Sequence, residues 1–138
     1  MKKIVVVVAG ITVFPLVSIG ATAQTSQRVD VPKRSKICKV SEPFAPSGGV
    51  VVSATTITMN NDGNPCWYMR HSTQSGRVFG VPMHLTKQPS HGAVEITVLD
   101  KGTRISYKPT AGFAGTDEFS VINEMYNVDR PYKVSVSR

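Results

Sequence analysis

Acidic residues are scarce in this chain, nine Asp and Glu against sixteen Lys and Arg, so the formal charge is +7. Histidine is confined to His71, His84 and His91, which stand 13 and 7 residues apart. Zinc signatures place ligands at short fixed offsets such as H-x-x-x-H, so this spacing carries no metal signal. No G-x-S-x-G elbow is present, and a serine without a paired histidine and an orienting carboxylate is unactivated. Together these absences exclude the recognised triads and zinc modules. No catalytic residue, metal ligand or cofactor site is assigned, and no nucleic-acid partner is expected.

The N-terminus is organised differently from the rest. Lys2 and Lys3 precede an apolar stretch over residues 4–19, which ends in the small residues Ala21, Thr22 and Ala23. That order is the pattern of a secretory signal peptide. A membrane-spanning helix needs about 20 consecutive apolar residues, whereas Pro15 interrupts this run and Gln24 opens a polar segment. Cleavage after Ala23 is expected, with no integral membrane segment afterwards, and Gln24 offers no cysteine for lipid attachment. Removing 23 of the 138 residues leaves 115 and, with the two lysines gone, a formal charge of +5. One domain in the periplasm or outside the cell is the expectation.

An even cysteine count in an exported chain favours a disulfide, here Cys38 with Cys66. Between the cleavage site and that pair, residues 24–36 carry Arg28, Lys33, Arg34 and Lys36 and little to bury. They read as a flexible basic leader, with the folded domain spanning residues 37–138.

Beyond Cys38, short β-type runs alternate with turn residues. Residues 50–59 are rich in Val, Thr and Ile, and residues 60–65 follow as a hairpin turn. An EF-hand reading of that turn fails on counting. With Asn60 at position one, Pro65 falls where the loop needs glycine and His71 where it needs glutamate. Residues 66–69 and 77–86 are further runs, the second broken at Pro82. In residues 93–99 the apolar Val94, Ile96 and Val98 alternate with Glu95 and Thr97, and residues 104–108 answer them across a turn. Phe119 and Val121 repeat the device, as do Tyr132, Val134 and Val136. Period two of this kind means one buried face. About seven short strands and no helix predict two antiparallel sheets packed face to face, an all-β sandwich of immunoglobulin-like type.

Residues 89–121 carry Pro89, Gly92 and Val94, then Tyr107 and Pro109, then Gly112, Phe113, Gly115, Asp117, Phe119 and Val121. This series resembles the bacterial immunoglobulin-like and cadherin-like repeats of surface and periplasmic proteins, with their P-x-x-G-x-V, Y-x-P and G-F-x-G-x-D-x-F segments. The resemblance implies a structural corner at Tyr107, Pro109, Gly112, Phe113, Gly115, Asp117 and Phe119. Pro109 ends a strand, the glycines permit a tight corner, Asp117 accepts turn amides, and the phenylalanines return to the core. The acidic clusters of calcium-binding relatives have no counterpart here, and only one repeat is present.

For recognition, residues 68–77 are the candidate loop. They combine Tyr68, Arg70, His71 and Arg77 with several hydrogen-bonding side chains, and loops on a rigid scaffold are where binding residues concentrate. The functional expectation is an exported, non-enzymatic module binding a protein or glycan, as a monomer or weak dimer. An inhibitor of a foreign or host enzyme is the alternative, and a metal-assisted hydrolase built on the histidines is the remote one.

Overall fold

A computed structural model describes residues 29–43 and 53–138. The signal-peptide expectation and part of the leader therefore lie outside the described residues. The chain divides into two compact units, Met1–Asp30 and Val31–Arg138, and every strand belongs to the second.

Ten strands succeed one another: β1 Cys38–Ser41, β2 Thr55–Asn60, β3 Cys66–Arg70, β4 Ser72–Gln74, β5 Arg77–Phe79, β6 Met83–Lys87, β7 Gly92–Leu99, β8 Gly102–Pro109, β9 Gly115–Asn123 and β10 Val128–Ser137. No helix occurs among the described residues, so none there is long and apolar enough to cross a membrane. Five strands form one sheet in the order β1-β2-β10-β9-β6, three form a second in the order β3-β8-β7, and β4 with β5 makes a separate two-stranded ribbon. Every pairing is antiparallel except β2 with β10.

The alternation expected from sequence places the core. Ile57, Met59, Phe119, Val121, Tyr132, Val134 and Val136 come from the larger sheet, and Cys66, Ile105 and Tyr107 come from the smaller. Both sheets thus share one apolar interior. An aromatic column crosses it: Tyr107 stacks on Phe119 at 5.9 Å between ring centres, and Phe119 on Tyr132 at 4.5 Å. The Cys38–Cys66 disulfide joins β1 of one sheet to β3 of the other, with Cα atoms 5.2 Å apart.

Two expectations change. Residues 60–65 are not a hairpin turn but a crossing from the larger sheet to the smaller. Asp62 fixes it by accepting the backbone N–H of Lys36 and of Asn64. The final strand lies inside the larger sheet, with β2 beside it in parallel and β9 on its other side. Residues 68–77 are not a loop. Tyr68 and Arg70 belong to β3, and Arg77 pairs with Gln74 across a two-residue turn. Ser75 and Gly76 both take positive φ there, 51° and 76°, as the tight hairpin turn requires. Ser72, Thr73 and Gln74 bury no apolar face, so no hydrophobic alternation announces the strand.

Within residues 24–36, the described part includes contacts with the folded body. Ser35 is buried, its N–H donates to the Pro65 carbonyl, and its hydroxyl donates to the Asn60 side chain. Trp67 lies on the outer face of β3, opposite in parity to Cys66, and its indole N–H donates to the Pro32 carbonyl at 2.9 Å. Arg34 stands over the ring at 5.7 Å.

Candidate functional site

The corner of residues 107–119 is built as the residue types demand. Tyr107 is buried, and its hydroxyl donates to the Asp117 carboxylate at 2.9 Å. That carboxylate also accepts the backbone N–H groups of Ser90, His91 and Glu118, each at 2.9 Å. Burial pushes the Asp117 pKa up, but these hydrogen bonds outweigh it and hold the group below the ordinary carboxylate range. Pro109 closes β8, Gly112 and Gly115 take positive φ of 77° and 140°, and Phe113 stacks on His91 at 4.4 Å. The corner's hydrogen bonds are made within it, which makes it a brace.

The opposite end of the body is different. Three connections meet there: the one from β3 to β6, the β7–β8 turn and the β9–β10 turn. The His71 Nδ1–H donates to the Lys101 carbonyl at 2.6 Å, and the Glu124 N–H donates to the Pro82 carbonyl at 3.1 Å. Val81 is tied to Thr103 by two hydrogen bonds, its N–H donating to the hydroxyl and its carbonyl accepting from it. Gly80 sits so close to the β7–β8 turn that a Cβ would lie 2.3 Å from the Leu99 carbonyl oxygen and 2.5 Å from that of Gly102, a position closed to any other residue. The β3–β6 connection is therefore clamped to the smaller sheet, although it carries the ribbon.

Between the sheets at this end lies a cavity of about 150 Å³. The inward rows of the core end there. Counting by twos, Cys66 and Tyr68 lead to Arg70, Val134 and Tyr132 lead to Arg130, and Phe119 and Val121 lead to Asn123. Met83 and Val128 complete the apolar wall. Two guanidinium groups thus occupy positions that the strand pleat directs inward.

Their surroundings are unequal. Arg70 pairs with Glu42 at 3.2 Å. Burial works against its charge, but the Glu42 carboxylate and the hydrogen bond to the Tyr132 hydroxyl more than restore it. Tyr68 and Tyr132 share a hydrogen bond at 2.7 Å between hydroxyl oxygens. Burial raises both phenols above their ordinary pKa, so both remain protonated. Among the described residues, no carboxylate forms an ion pair with Arg130. The tip above the cavity is apolar and open, with Met125 50% and Tyr126 56% exposed.

The four residues of the expected loop separate accordingly. Tyr68 belongs to the core network and Arg70 to the cavity, while His71 fastens the turn beneath. Arg77 lies on the ribbon beside the exposed Val78. Asn123, Tyr126 and Arg130 join the site without having been expected there, though the inward parity carried two residues past Val121 and back from Tyr132 points to the first and the last. The histidines do not converge: His84 pairs with Glu124, His91 lies against Phe113, and His71 binds a carbonyl. No group of three metal-ligating side chains occurs among the described residues.

A broader groove of about 790 Å³ runs over the outer face of the larger sheet, with Thr56, Thr58, Thr116 and Ser135 along it. These are the solvated positions of the same alternation, and Glu118 there is engaged with Lys87. The enclosed end, where Arg130 has no acidic partner among the described residues, is the more specific feature. No family model, curated protein or solved structure is matched by this chain.

Proposed function

We propose that this chain is an exported, non-enzymatic binding module of immunoglobulin-like type that recognises a protein or glycan through the end carrying Arg70, Tyr126 and Arg130. The strand orders support the fold assignment. β3-β8-β7 facing β10-β9-β6 corresponds to the B-E-D and G-F-C layers of immunoglobulin sandwiches. In that correspondence the three meeting connections are the B–C, D–E and F–G loops, at the end that antibody variable domains use for recognition. Export rests on the N-terminal pattern alone.

The observation that carries the reading is the union of exposed apolar tip and charged mouth on one rigid frame. Met125 and Tyr126 are held by Asn123, whose side-chain oxygen accepts both of their backbone N–H groups, at 3.0 and 3.3 Å. A turn fixed in this way loses little freedom on binding. The test is affinity capture from an envelope extract at physiological salt, comparing the native chain with a Met125→Ser, Tyr126→Ser double variant. A partner retained by the native chain and lost by the variant is expected. No partner at all, or equal retention by both, contradicts the reading.

One observation favours inhibition of an enzyme as a second reading. The β4–β5 ribbon belongs to neither layer and presents Arg77 and Val78 to solvent, a shape suited to an active-site cleft. Replacing residues 72–79 by a two-residue turn separates the two readings, since only inhibition depends on the ribbon.

A further inference from the structure

We propose that the cavity between Arg70 and Arg130 receives a single carboxylate, carried by an acidic side chain of a protein partner. This inference rests on the reading of that end as the binding end and names the chemistry it accepts.

Almost every polar group facing the cavity is a donor. Arg130 carries five N–H donors on a charged fork and has no acidic partner among the described residues. Arg70 pairs with Glu42 and also hydrogen-bonds the Tyr132 hydroxyl, and the remaining N–H groups of its fork stay available. Asn123 spends its oxygen on the turn amides, which leaves its NH₂ group to donate. A pocket of donors with surplus positive charge is complementary to an ionised carboxylate, which only accepts and has about four lone-pair sites. An inward guanidinium costs desolvation that a bound anion offsets.

Size narrows the choice. About 150 Å³ is half the lower end of ordinary small-molecule pockets, roughly 300 Å³, a size that suits a side-chain tip. Met83, Val121 and Val128 supply a wall for the methylenes that carry the carboxylate. The exposed Met125 and Tyr126 stand beside the opening to cover the partner's backbone. The net positive charge of the chain speeds approach of an acidic surface.

The experiment titrates ¹⁵N-labelled protein with three probes: N-acetylglutamate α-amide, its neutral glutamine isostere, and inorganic phosphate. Saturable shifts of the Asn123, Tyr126 and Arg130 amides and of the arginine Nε–H signals are expected with the glutamate probe alone. Arg130→Gln should weaken that binding at least tenfold, and Arg130→Lys, which keeps charge but loses the fork, at least threefold. Signal dispersion reports folding of each variant, and the probe comparison on the native chain stands if one of them unfolds. Equal shifts with the glutamine probe, tighter binding of phosphate, or unchanged affinity in folded Arg130→Gln each overturns the proposal. If the tip variant abolishes partner capture while the glutamate probe leaves the mouth unmoved, this inference alone fails. If the native chain captures nothing, the reading beneath it fails.

Discussion

Reduction of the Cys38–Cys66 disulfide is expected to lower the stability of the oxidised chain by about 3.5 kcal/mol, the loop-entropy value for a 28-residue separation. For a domain of this size that corresponds to a fall in Tm of about 15 °C. The bridge has this weight because of where it sits. β1 has a single hydrogen-bonding neighbour, β2, and is an outer strand of the larger sheet. β3 is an outer strand of the smaller one. The sulfurs therefore fasten the two layers along one side, where Cys66 is fully buried. A Cys38→Ser, Cys66→Ser double variant should reproduce the loss in thermal melts without reductant. An unchanged Tm in both experiments contradicts a bridge that holds the layers together.

Asp117→Ala is the second large effect, a loss of about 3 kcal/mol at neutral pH, because one carboxylate receives three backbone N–H groups and the Tyr107 hydroxyl. The substitution leaves those donors without an acceptor, and unmet buried donors cost about 1–3 kcal/mol apiece. Partial access of water to the turn keeps the total below the sum for four fully buried donors. The effect also has a pH signature. Net of burial and hydrogen bonding, the folded-state pKa of Asp117 lies below its unfolded value of about 3.9. The carboxylate's contribution is therefore complete above that unfolded value and disappears as pH falls through the folded one. Denaturant melts of native and variant protein should differ most near neutrality and converge in acid below the ordinary carboxylate pKa. A difference that stays constant down to strongly acidic pH contradicts the role assigned to the charge.

Much of the architecture is legible in the sequence because period two is a physical constraint as well as a statistic. In β10, Tyr132, Val134 and Val136 are buried while Lys133, Ser135 and Ser137 are exposed, and the same register orders β2 and β9. Pairing partners are less legible. Nothing local to Thr55–Asn60 states that it will lie parallel to the last strand, since that choice is made by the whole layer. The first strand of the ribbon stays hidden because Ser72, Thr73 and Gln74 are polar on both faces.

The site is half legible for a related reason. Arg70 is conspicuous as a charged residue near an aromatic, but Arg130 and Asn123 sit beyond the last apolar position of their rows. The pleat does not stop when hydrophobicity does. Carrying the inward parity one step further from Tyr132 reaches Arg130, and from Val121 it reaches Asn123. An arginine at an inward position at the rim of a core is a usable signal, because it must find either an acid or an opening. Trp67 shows the reverse case: its parity places it on the outer face, against residues 32–34, despite its position next to Cys66.

In the proposed reading one end of this body binds while the other, braced by Asp117, holds the layers, and amide hydrogen exchange with and without a captured partner tests that division most directly. Added protection is expected over residues 70–84, 99–103 and 123–130, with residues 88–91 and 109–118 unchanged. Protection concentrated on the braced corner, or on the outer face around Thr56, Thr116 and Lys133, would contradict it.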